Sequence, residues 1–600
     1  MSGIIGAPDS TAAQGAPGAK VPLCRLPSAP RHAVPLLIGL GLALFFIRLG
    51  HPMYTKGEPR EGVTVIDVVS GRGFILAHRP LVEMPFKPPL MRWLAALAAR
   101  PAGGVSELTM RLPSAVLAVL AMLLCYGYVS RLFGADCGLA AAVILGTNLQ
   151  YLQAATGARV DMTLTFFLEA AFFQFLLLAE GLSRRWYLFY LALAGAVLSK
   201  GPLGLLLPAA TVLVWSRLER RSIFCAPFHP LAGLAIVAVL GGSWYFAAVA
   251  VGGWAFVWRQ LIGENVFAYF YSPRFSGGHA HSFLWLLGAL GLGFFPWTAF
   301  LPAALWRLGR KPGPRAAYLA VWCAVALVFY GFAHQKRGVY LLAIYPALAA
   351  LTGRFIVESA NAAVGPARWL KFLPLLFGVL FLAIGVVGLT ALFLAEHQPD
   401  RLAQLLVRVR IVVPGLATNL GALAGTHRFF SWLLPLLTLA LAALLVGMRQ
   451  SPRSLPVLVA ALMVAVAATA ELFFVPAIAE TLTLKGFTRQ VMRLADGAPI
   501  AYLGSVNYEV AFYGRRRIPI LDAAAPPDPR FDYLIATRRL YDHRPAGALG
   551  GFRPALQSGP TELDGSGGLV LLEKTDAGRP RPAASRPAAV GRAAPPAGVR

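Results

Sequence analysis

Apolar segments of roughly membrane-spanning length recur along most of this chain, and they constrain its fold more than any other feature. A transmembrane helix needs about 17–25 mainly apolar residues. Segments near this length lie at 34–49, 112–131, 138–155, 162–181, 186–199, 202–216, 229–250, 283–305, 316–333, 338–353, 369–395, 429–447 and 455–476. With 57% hydrophobic and 14% charged residues, a soluble protein could not bury so much apolar surface. The sequence therefore predicts a polytopic α-helical membrane protein with about 13 transmembrane helices.

The least certain pair of segments meets at Lys200-Gly201-Pro202. A glycine followed by a proline either separates two helices or kinks one long helix. Both interpretations are open from the sequence.

Basic residues in the connections between segments predict the topology. If the N-terminus lies in the cytoplasm, every cytoplasmic connection is basic, as the positive-inside rule requires. These basic residues are Arg131, Arg184, Arg185, Arg217, Arg220, Arg221, Arg307, Arg310, Lys311, Arg315, Arg354, Arg368, Lys371, Arg449 and Arg453. The opposite face then receives residues 51–111 and everything after about 480.

Composition divides the chain into four parts. Residues 1–33 are rich in Ala, Pro and Gly and predict a disordered cytoplasmic leader. Residues 34–479 form the membrane domain. Residues 480–575 contain a helix near Thr488–Ala495 and short β-type runs starting at Ile500, Val510, Ile518, Tyr533 and Leu569, which predict a small α/β domain. Residues 576–600 predict a disordered tail.

The charge and the cysteines exclude two classes of function. The net charge of +27 suits cytoplasmic loops beside anionic lipid headgroups. No basic stretch outside the membrane segments carries interleaved aromatic residues, so we expect no nucleic-acid partner. The five cysteines are not at metal-ligand spacing, so we expect neither a disulfide framework nor a zinc-thiolate site.

The loop Tyr54–Leu90 concentrates charge between the first two apolar segments and is where we expect the chemistry. Its acids are Glu58, Glu61, Asp67 and Glu83. Glu58 precedes Pro59, a favoured first helical residue, so the helix dipole would keep its carboxylate ionised and able to act as a general base. The alternative role is a plain helix cap. Val63, Ile66 and Val69 predict a short amphipathic helix along the membrane surface.

Lys87-Pro88-Pro89 places a cation on a stiff backbone before a second amphipathic helix at Leu90–Ala99. Such a cation suits a phosphate, although a lysine that reaches the lipid headgroups is an equal alternative.

A second group of charged residues lies at the outer ends of later segments. Asp161 is costly there unless it is paired or faces a water-filled cavity, so it is a functional candidate, with an ion pair to Arg159 as the structural alternative. Cations at the same level are Lys200, Lys336 and Arg337, with Tyr340 beside them. Acids and cations around one cavity suit an anionic, lipid-linked donor beside a general base.

These residues resemble a known family. Gly57-Glu58-Pro59-Arg60, Phe86-Lys87-Pro88-Pro89-Leu90, Arg111-Leu112-Pro113-Ser114, Arg159-Val-Asp161, Lys200-Gly201-Pro202, Gly263-Glu264-Asn265, His279, Phe295-Pro296-Trp297 and Lys336-Arg337 with Tyr340 follow the motif order of the GT-C glycosyltransferases that use polyprenyl-phosphate sugars. This group contains the protein O-mannosyltransferases and the lipid A aminoarabinose transferases. The resemblance implies a GT-C-like helical bundle with an outer C-terminal domain in the bacterial inner membrane, and an active site that faces the periplasm.

The resemblance implies Glu58 and Asp161 as catalytic candidates and assigns the other matching polar residues to substrate binding: Arg60, Lys87, Arg159, Lys200, Glu264, His279, Lys336, Arg337 and Tyr340. Two positions depart from the family pattern. Gly57 replaces the family's catalytic aspartate, which leaves Glu58 or Asp161 as the base, with Glu58 favoured. Phe86 replaces an acid that, with a histidine at the His279 position, can hold a metal in the aminoarabinose branch, so we expect no metal and no other cofactor. Glu83 is three residues from Phe86.

The leading interpretation is an inverting glycosyltransferase that moves a sugar from undecaprenyl phosphate to a lipid, glycan or protein acceptor. A transporter or flippase of lipid-linked sugars would need buried acids at mid-membrane and paired broken helices, and a non-catalytic assembly subunit would use the C-terminal domain for docking. The sequence leaves the sugar and the acceptor open.

Overall fold

The computed structural model describes residues 32–575 apart from 56, 77–86, 221–227, 271–280, 311–312, 362–371, 410–415, 448–453, 526–527, 545–548 and 560–567, and describes no side chain at 264, 268 or 361.

Helices make up most of the described chain. They are α1 (Ala33–Phe45), α2 (Gly57–Val69), α3 (Leu90–Ala99), α4 (Glu107–Phe133), α5 (Ala135–Gly146), α6 (Leu149–Ala155), α7 (Val160–Ala179), α8 (Trp186–Lys200), α9 (Leu203–Leu218), α10 (Pro230–Ile236), α11 (Ser243–Phe256), α12 (Ala268–Phe270), α13 (Phe283–Gly293), α14 (Leu301–Arg310), α15 (Pro314–Phe332), α16 (Tyr345–Asn361), α17 (Leu373–His397), α18 (Pro399–Arg408), α19 (Leu416–Thr426), α20 (Arg428–Gly447), α21 (Leu455–Thr469), α22 (Val475–Leu482), α23 (Lys485–Leu494), α24 (Tyr508–Gly514) and α25 (Arg538–Asp542). π-Helical stretches occupy Val237–Gly241, Val257–Phe267 and Ala470–Phe474, and 3₁₀ turns occupy Trp297–Phe300 and Gly338–Ile344.

The helices confirm a multi-pass membrane protein. Within the described residues, eight helices are long and apolar enough to cross a membrane, or nine if α13 and the helix after its 107° bend form one broken span. Six shorter apolar helices of 10–17 residues accompany them. Large apolar side chains point outward, as on Val387 and Phe429, which is the pattern of helices that face lipid. The count of 13 spans stays a prediction.

Helix α7 lies at the centre of the bundle and carries Asp161 in its first turn. Phe172 stacks on Trp322 of α15 at 4.2 Å between ring centroids. The Tyr318 hydroxyl donates to the Phe172 carbonyl at 3.0 Å. Because α7 is packed on several sides, its first turn is held in a fixed place relative to the neighbouring helix ends.

The chain breaks between α8 and α9, so the segments around Lys200 are two helices. Gly201 has a φ of 76°, a left-handed conformation that glycine adopts readily. A Cβ at this position would lie 2.6 Å from the Tyr245 hydroxyl. The glycine therefore ends α8 directly after Lys200 and lets neighbouring groups approach closely.

The loop Tyr54–Leu90 and the residues after it contain both predicted helices, α2 and α3. Most residues of α2 are buried by protein and not open to lipid, and the position of this helix along the membrane surface stays a prediction. The C-terminal domain covers it, and a Cβ at Gly62 would lie 2.6 Å from the Phe512 ring. The alternation of valine and isoleucine in α2 reflects this protein contact.

The C-terminal domain is a five-stranded sheet with short helices. Its strands are β1 (Ile500–Leu503), β2 (Ile520–Leu521), β3 (Tyr533–Thr537), β4 (Phe552–Gln557) and β5 (Leu569–Lys574), in the order β2-β1-β3-β5-β4. β1 pairs in parallel with β2 and β3, while β5 pairs antiparallel with β3 and β4. A small sheet with short helices is therefore present in this region, and the bounds 480–575 of the predicted domain stay a prediction.

One predicted strand is wrong: the run at Val510 lies in helix α24. The Asn507 side chain accepts hydrogen bonds from the Glu509 and Val510 amides, which starts a helix in spite of the β-type composition. The edge strand β4 carries Arg553 and Pro554, so its apolar pattern was too weak to be predicted.

Polar contacts join this domain to Met53, just before the charged loop, and to the start of α4. Lys485 forms an ion pair with Glu107 at 2.6 Å. The Tyr513 hydroxyl donates to Glu107 at 3.2 Å and accepts from the Met53 amide at 3.0 Å. The domain therefore contacts Met53 and Glu107, which lie on either side of the charged loop Tyr54–Leu90.

Candidate active site

A buried ion pair between Glu58 and Arg111 holds the start of α2 against α4. Arg111 donates to Glu58 Oε1 at 2.8 Å and to Oε2 at 2.9 Å. The same guanidinium donates to the carbonyls of Leu49 and His51 at 2.8 and 2.7 Å. A bidentate, fully buried pair of this kind is geometrically specific.

Glu58 has little freedom to act on a substrate. Its side chain is only 2% exposed, and Oε1 also accepts from the Ala158 amide at 2.9 Å. Burial alone would raise the pKa of this carboxyl, but the Arg111 charge and these hydrogen bonds outweigh burial and lower the pKa. The role of Glu58 as the base stays a prediction, while its contacts are those of a structural clamp.

Lys87 lies opposite Glu61, an acid to which the sequence analysis gave no role. Its Nζ donates to Glu61 Oε1 at 2.6 Å, and about a third of the lysine side chain is exposed. The carbonyl of Lys87 accepts a hydrogen bond from Arg92, a buried residue of α3. Burial would raise the pKa of Glu61, but Lys87 and Arg92 together lower it. The lysine is thus fixed at its backbone and its ammonium.

Asp161 forms the second exposed ion pair of the cleft, with Lys200. Asp161 Oδ1 accepts from Lys200 Nζ at 2.6 Å, and both side chains are partly exposed, at 13% and 22%. The Lys200 ammonium also lies 4.2 Å from the centre of the Tyr340 ring, a cation–π contact. The predicted ion pair between Asp161 and Arg159 is replaced by this one, although the charge of Arg159 still acts on Asp161.

The two ion pairs lie side by side. The charge of Lys87 acts on Asp161, and Pro88 Cγ lies 3.8 Å from the Cβ position of Gly201. The Lys87-Pro88 turn therefore packs against the Lys200-Gly201 turn. Two cations and two acids therefore lie close together, an arrangement that can bind an anion and accept a proton.

The other predicted substrate-binding residues differ in their exposure and in their contacts. The charge of Arg60 acts on Glu61. Arg159 is exposed before α7, and Arg337 is exposed before the 3₁₀ turn that carries Tyr340. Lys336 is buried, and its ammonium donates to the Ala333 carbonyl at 2.7 Å. The side chain of Glu264 and all of His279 lie outside the described residues.

The expectation that the chain needs no metal stays a prediction. Phe86 offers no ligand atom where that branch has an acid. Phe86, Glu83 and His279 lie outside the described residues, and the described residues contain no group of three potential His, Cys, Asp or Glu ligands.

The sequence analysis missed three residues that build the site: Glu61, Arg92 and Arg111. Arg111 was quoted only as part of a motif, although a charge at the start of an apolar segment is a signal for a buried partner. Glu61 lies one helical turn from Glu58, and that spacing places the two acids on one face of α2.

Comparisons with known proteins show what the chain is similar to. The family described as dolichyl-phosphate-mannose-protein mannosyltransferase matches residues 86–244, which include Lys87, Asp161 and Lys200. An undecaprenyl phosphate-alpha-4-amino-4-deoxy-L-arabinose arabinosyl transferase of Pseudomonas fluorescens is 27% identical over 408 residues, 64% of this chain and 70% of that protein. The corresponding protein of Pectobacterium atrosepticum is 28% identical over 384 residues, 61% of this chain and 66% of that protein.

An uncharacterised protein of Aquifex aeolicus is 27% identical over 278 residues, 45% of this chain and 60% of that protein. The chain therefore spans less than two thirds of the length of some relatives it matches.

The crystal structure of ArnT from Cupriavidus metallidurans bound to undecaprenyl phosphate superimposes with a TM-score of 0.69, at 17% identity, over 91% of this chain and 99% of that chain. Its apo state gives a TM-score of 0.64 over 90% and 97% of the two chains. At this identity the likeness is one of fold.

Proposed function

We propose that this chain is a membrane glycosyltransferase of the GT-C superfamily, and that it transfers a sugar from a polyprenyl (undecaprenyl) phosphate carrier to a lipid, glycan or protein acceptor. The names of the relatives support this donor class. The residues that would carry out the reaction are those of the cleft between α2, α3, α7 and α8.

The observation that carries the proposal is the meeting of Lys87 and Lys200 beside Asp161. Each lysine is partly exposed and ion-paired with an acid. A phosphate between the two ammonium groups would have two charge-assisted hydrogen bonds. Arg60 and Arg159 would add positive charge at the rim of the cleft.

This arrangement suits departure of the carrier phosphate. When the bond between the sugar carbon and the phosphate oxygen breaks, negative charge develops on the phosphate, and Lys87 and Lys200 are placed to offset it. A phosphate needs little protonation to leave, so no separate general acid is required. The acceptor oxygen attacks the opposite face of the sugar, which inverts the configuration.

Of the two candidate bases, the geometry favours Asp161. Both oxygens of Glu58 are held by Arg111, whereas only Oδ1 of Asp161 accepts a hydrogen bond among the described residues. As Lys200 turns toward the carrier phosphate, the Asp161 carboxylate becomes free to accept the acceptor's proton. Glu58 then acts by holding α2, and so Glu61 and Lys87, in position.

Comparison of cells with and without the protein tests the proposed function. Mass spectrometry of lipid A, wall polymers and surface proteins should reveal one species that carries an extra monosaccharide only when the protein is present. Purified full-length protein in lipid nanodiscs should also bind undecaprenyl phosphate. If no species changes and undecaprenyl phosphate does not bind, the proposed function is wrong.

Lys87→Ala should raise the apparent KM for the lipid-linked donor by about 10–100-fold, because a charge-assisted hydrogen bond to the phosphate is lost. The protein should remain folded in detergent, since Lys87 is partly exposed. Formation of the sugar-modified acceptor at varied donor concentration measures the effect. Arg100→Ala, which removes an exposed cation at the end of α3, is the matched control. Equal donor dependence in both variants would place Lys87 at the lipid headgroups.

The active site should face the periplasm, with residues 51–111 and the C-terminal domain on the same side of the membrane. This prediction rests on the positive-inside rule, because the basic residues are concentrated in the loops assigned to the cytoplasm. Lys485 and Glu107 form an ion pair, which supports a shared side for the domain and the loop. Alkaline phosphatase fused after residue 575 should be active in intact cells. If a reporter that works only in the cytoplasm is active at that position and alkaline phosphatase is not, the C-terminal domain lies in the cytoplasm and the predicted topology is wrong.

A further inference from the structure

A third carboxylate, Glu471, lies in the cleft region and has no part in the reaction proposed above. It lies in the π-helical turn Ala470–Phe474, which interrupts the last long apolar helical segment between α21 and α22. π-Turns inside α-helices are rare and are found frequently at functional sites. The turn points a carboxylate sideways from a segment that is otherwise apolar.

Glu471 is only weakly partnered by the protein. Its Oε1 lies 3.5 Å from the Thr156 hydroxyl, at the limit of a hydrogen bond. No described cation forms an ion pair with it. The nearby Arg48 is directed elsewhere, to His427 at 3.1 Å and the Leu472 carbonyl at 3.4 Å. A half-buried carboxylate in a membrane segment is costly without a partner, and such residues mark substrate pathways.

Tyr54 connects Glu471 to the catalytic cleft. Burial first, and then the charges of Glu58 and Glu471, raise the pKa of the Tyr54 hydroxyl, while Arg111 and Arg159 act in the opposite direction. The Tyr54 ring lies 5.5 Å from the His51 ring between centroids, and His51 lies 3.1 Å from the Arg111 guanidinium that binds Glu58. Thr156 lies in the turn between α6 and α7, five residues before Asp161. The same turn donates the Ala158 amide to Glu58 at 2.9 Å. Glu471 therefore contacts the turn that leads from α6 into Asp161 and that also binds Glu58.

We propose that Glu471, Tyr54 and Thr156 form the acceptor subsite of this enzyme, and that this subsite takes a carbohydrate headgroup through its hydroxyl groups. The inference rests on the proposed glycosyltransferase function and names the acceptor class of that site. A carboxylate accepts two hydrogen bonds from adjacent sugar hydroxyls, and the tyrosine and threonine hydroxyls can donate or accept.

The charges around the subsite favour hydroxyls over ions. A phosphate headgroup would face the Glu471 carboxylate. The charge of Arg111 acts on Glu471, but the hydrogen-bond donors of Arg111 and Arg48 are already directed to protein acceptors. A cationic amine would meet the charges of Arg111 and Arg159, which act on this region. A neutral polyol supplies the donors that Glu471 lacks without bringing a charge.

The test measures binding of three probes that share an octyl chain and differ in their headgroup. Full-length protein in lipid nanodiscs is titrated with octyl β-glucoside, octyl phosphate or octylamine below their micellar concentrations, with empty nanodiscs as background. Octyl β-glucoside should bind best. Glu471→Leu should weaken it by about tenfold or more, and Glu471→Gln and Tyr54→Phe by about threefold to tenfold.

Two controls make the result specific. Glu480→Gln changes an exposed acid in the same helical segment and should leave glucoside binding unchanged. Undecaprenyl phosphate should bind all of these variants as it binds the wild type, because Lys87 and Lys200 are intact. Thr156→Val provides a further milder variant if Glu471→Leu does not fold.

The acceptor inference is overturned if none of the probes binds, if binding does not depend on Glu471, or if octyl phosphate or octylamine binds best in a Glu471-dependent manner. Loss of undecaprenyl phosphate binding by the wild-type protein is a different result, since it contradicts the proposed donor and not the preference for a carbohydrate headgroup.

Discussion

Asp161→Asn is expected to lower turnover by about 10²–10⁴-fold, the range typical for loss of a general base. Asparagine keeps the shape of the side chain and can still contact Lys200, but it cannot take the proton of an acceptor hydroxyl. Binding of undecaprenyl phosphate should stay within severalfold of wild type, because Lys87 and Lys200 remain. The measurement is the rate of sugar transfer at saturating donor, together with donor affinity in nanodiscs.

The matched control is Asp400→Asn, which changes an exposed acid at the start of α18 and should leave the rate unchanged. A different result would reassign the base: if Asp161→Asn retains near-normal turnover while folded Glu58→Gln protein binds donor but is inactive, then Glu58 is the base. A reduction in donor affinity alone would make Asp161 a residue that positions Lys200.

The order of the motifs allowed much of the site to be predicted from the sequence. Lys87, Asp161 and Lys200 were named from the sequence because a charge beside a proline or a glycine at the end of an apolar segment is conspicuous in a membrane protein. The structure brings these three residues together, and their roles stay predictions. The partners of these residues were harder to predict. Asp161 has Arg159 two residues away in the chain, yet it pairs with Lys200, which is 39 residues distant. The packing of α7 against α8 determines which cation pairs with Asp161, and this packing cannot be derived from a single sequence.

The burial of α2 shows the same limit. A helix with valine and isoleucine at three-residue spacing suits a membrane surface and a protein interface equally well. Gly62 is the only hint in the helix that a ring from another domain packs closely there, and a single glycine has many explanations. The position of the C-terminal domain therefore decides between the two environments.

The role of Glu58 illustrates how burial changes the meaning of a motif. From the sequence, an acid before a proline at a helix start is a good candidate for an ionised base. In the folded protein the same acid faces Arg111, which lies 53 residues later and is fully buried. The position at a helix start favours the charged form of the carboxylate, and this charge forms the buried ion pair with Arg111.

Glu58→Gln should lower the free energy of unfolding by about 3–5 kcal/mol, the usual cost of removing one partner from a buried ion pair. The glutamine would leave the Arg111 guanidinium buried without a countercharge. A chain that carries leucine at both 58 and 111 should be more stable than Glu58→Gln, because it removes the buried charge as well. The double variant should still be less stable than the wild type, because Arg111 also donates hydrogen bonds to the carbonyls of Leu49 and His51, which leucine cannot replace.

The measurement is denaturant unfolding of the detergent-solubilised protein near neutral pH. Glu573→Gln is the matched control, because Glu573 pairs with Arg553 at the surface of the outer domain and an exposed pair contributes only about 0–1 kcal/mol. If Glu58→Gln is as stable as the control and still binds donor, Glu58 is not a clamp and its catalytic role regains support.

The pH dependence of unfolding provides an independent check on the same pair. The folded-state pKa of Glu58 is held below its usual value, in spite of burial, by Arg111 and the Ala158 amide. The pair therefore contributes its full stability above the unfolded-state pKa of about 4.3 and loses it as the pH falls through the lower folded-state value. Wild-type protein should lose stability in that acidic range. Glu58→Gln should lose less over the same range, because glutamine does not titrate and the difference between the two proteins shrinks as Glu58 is protonated.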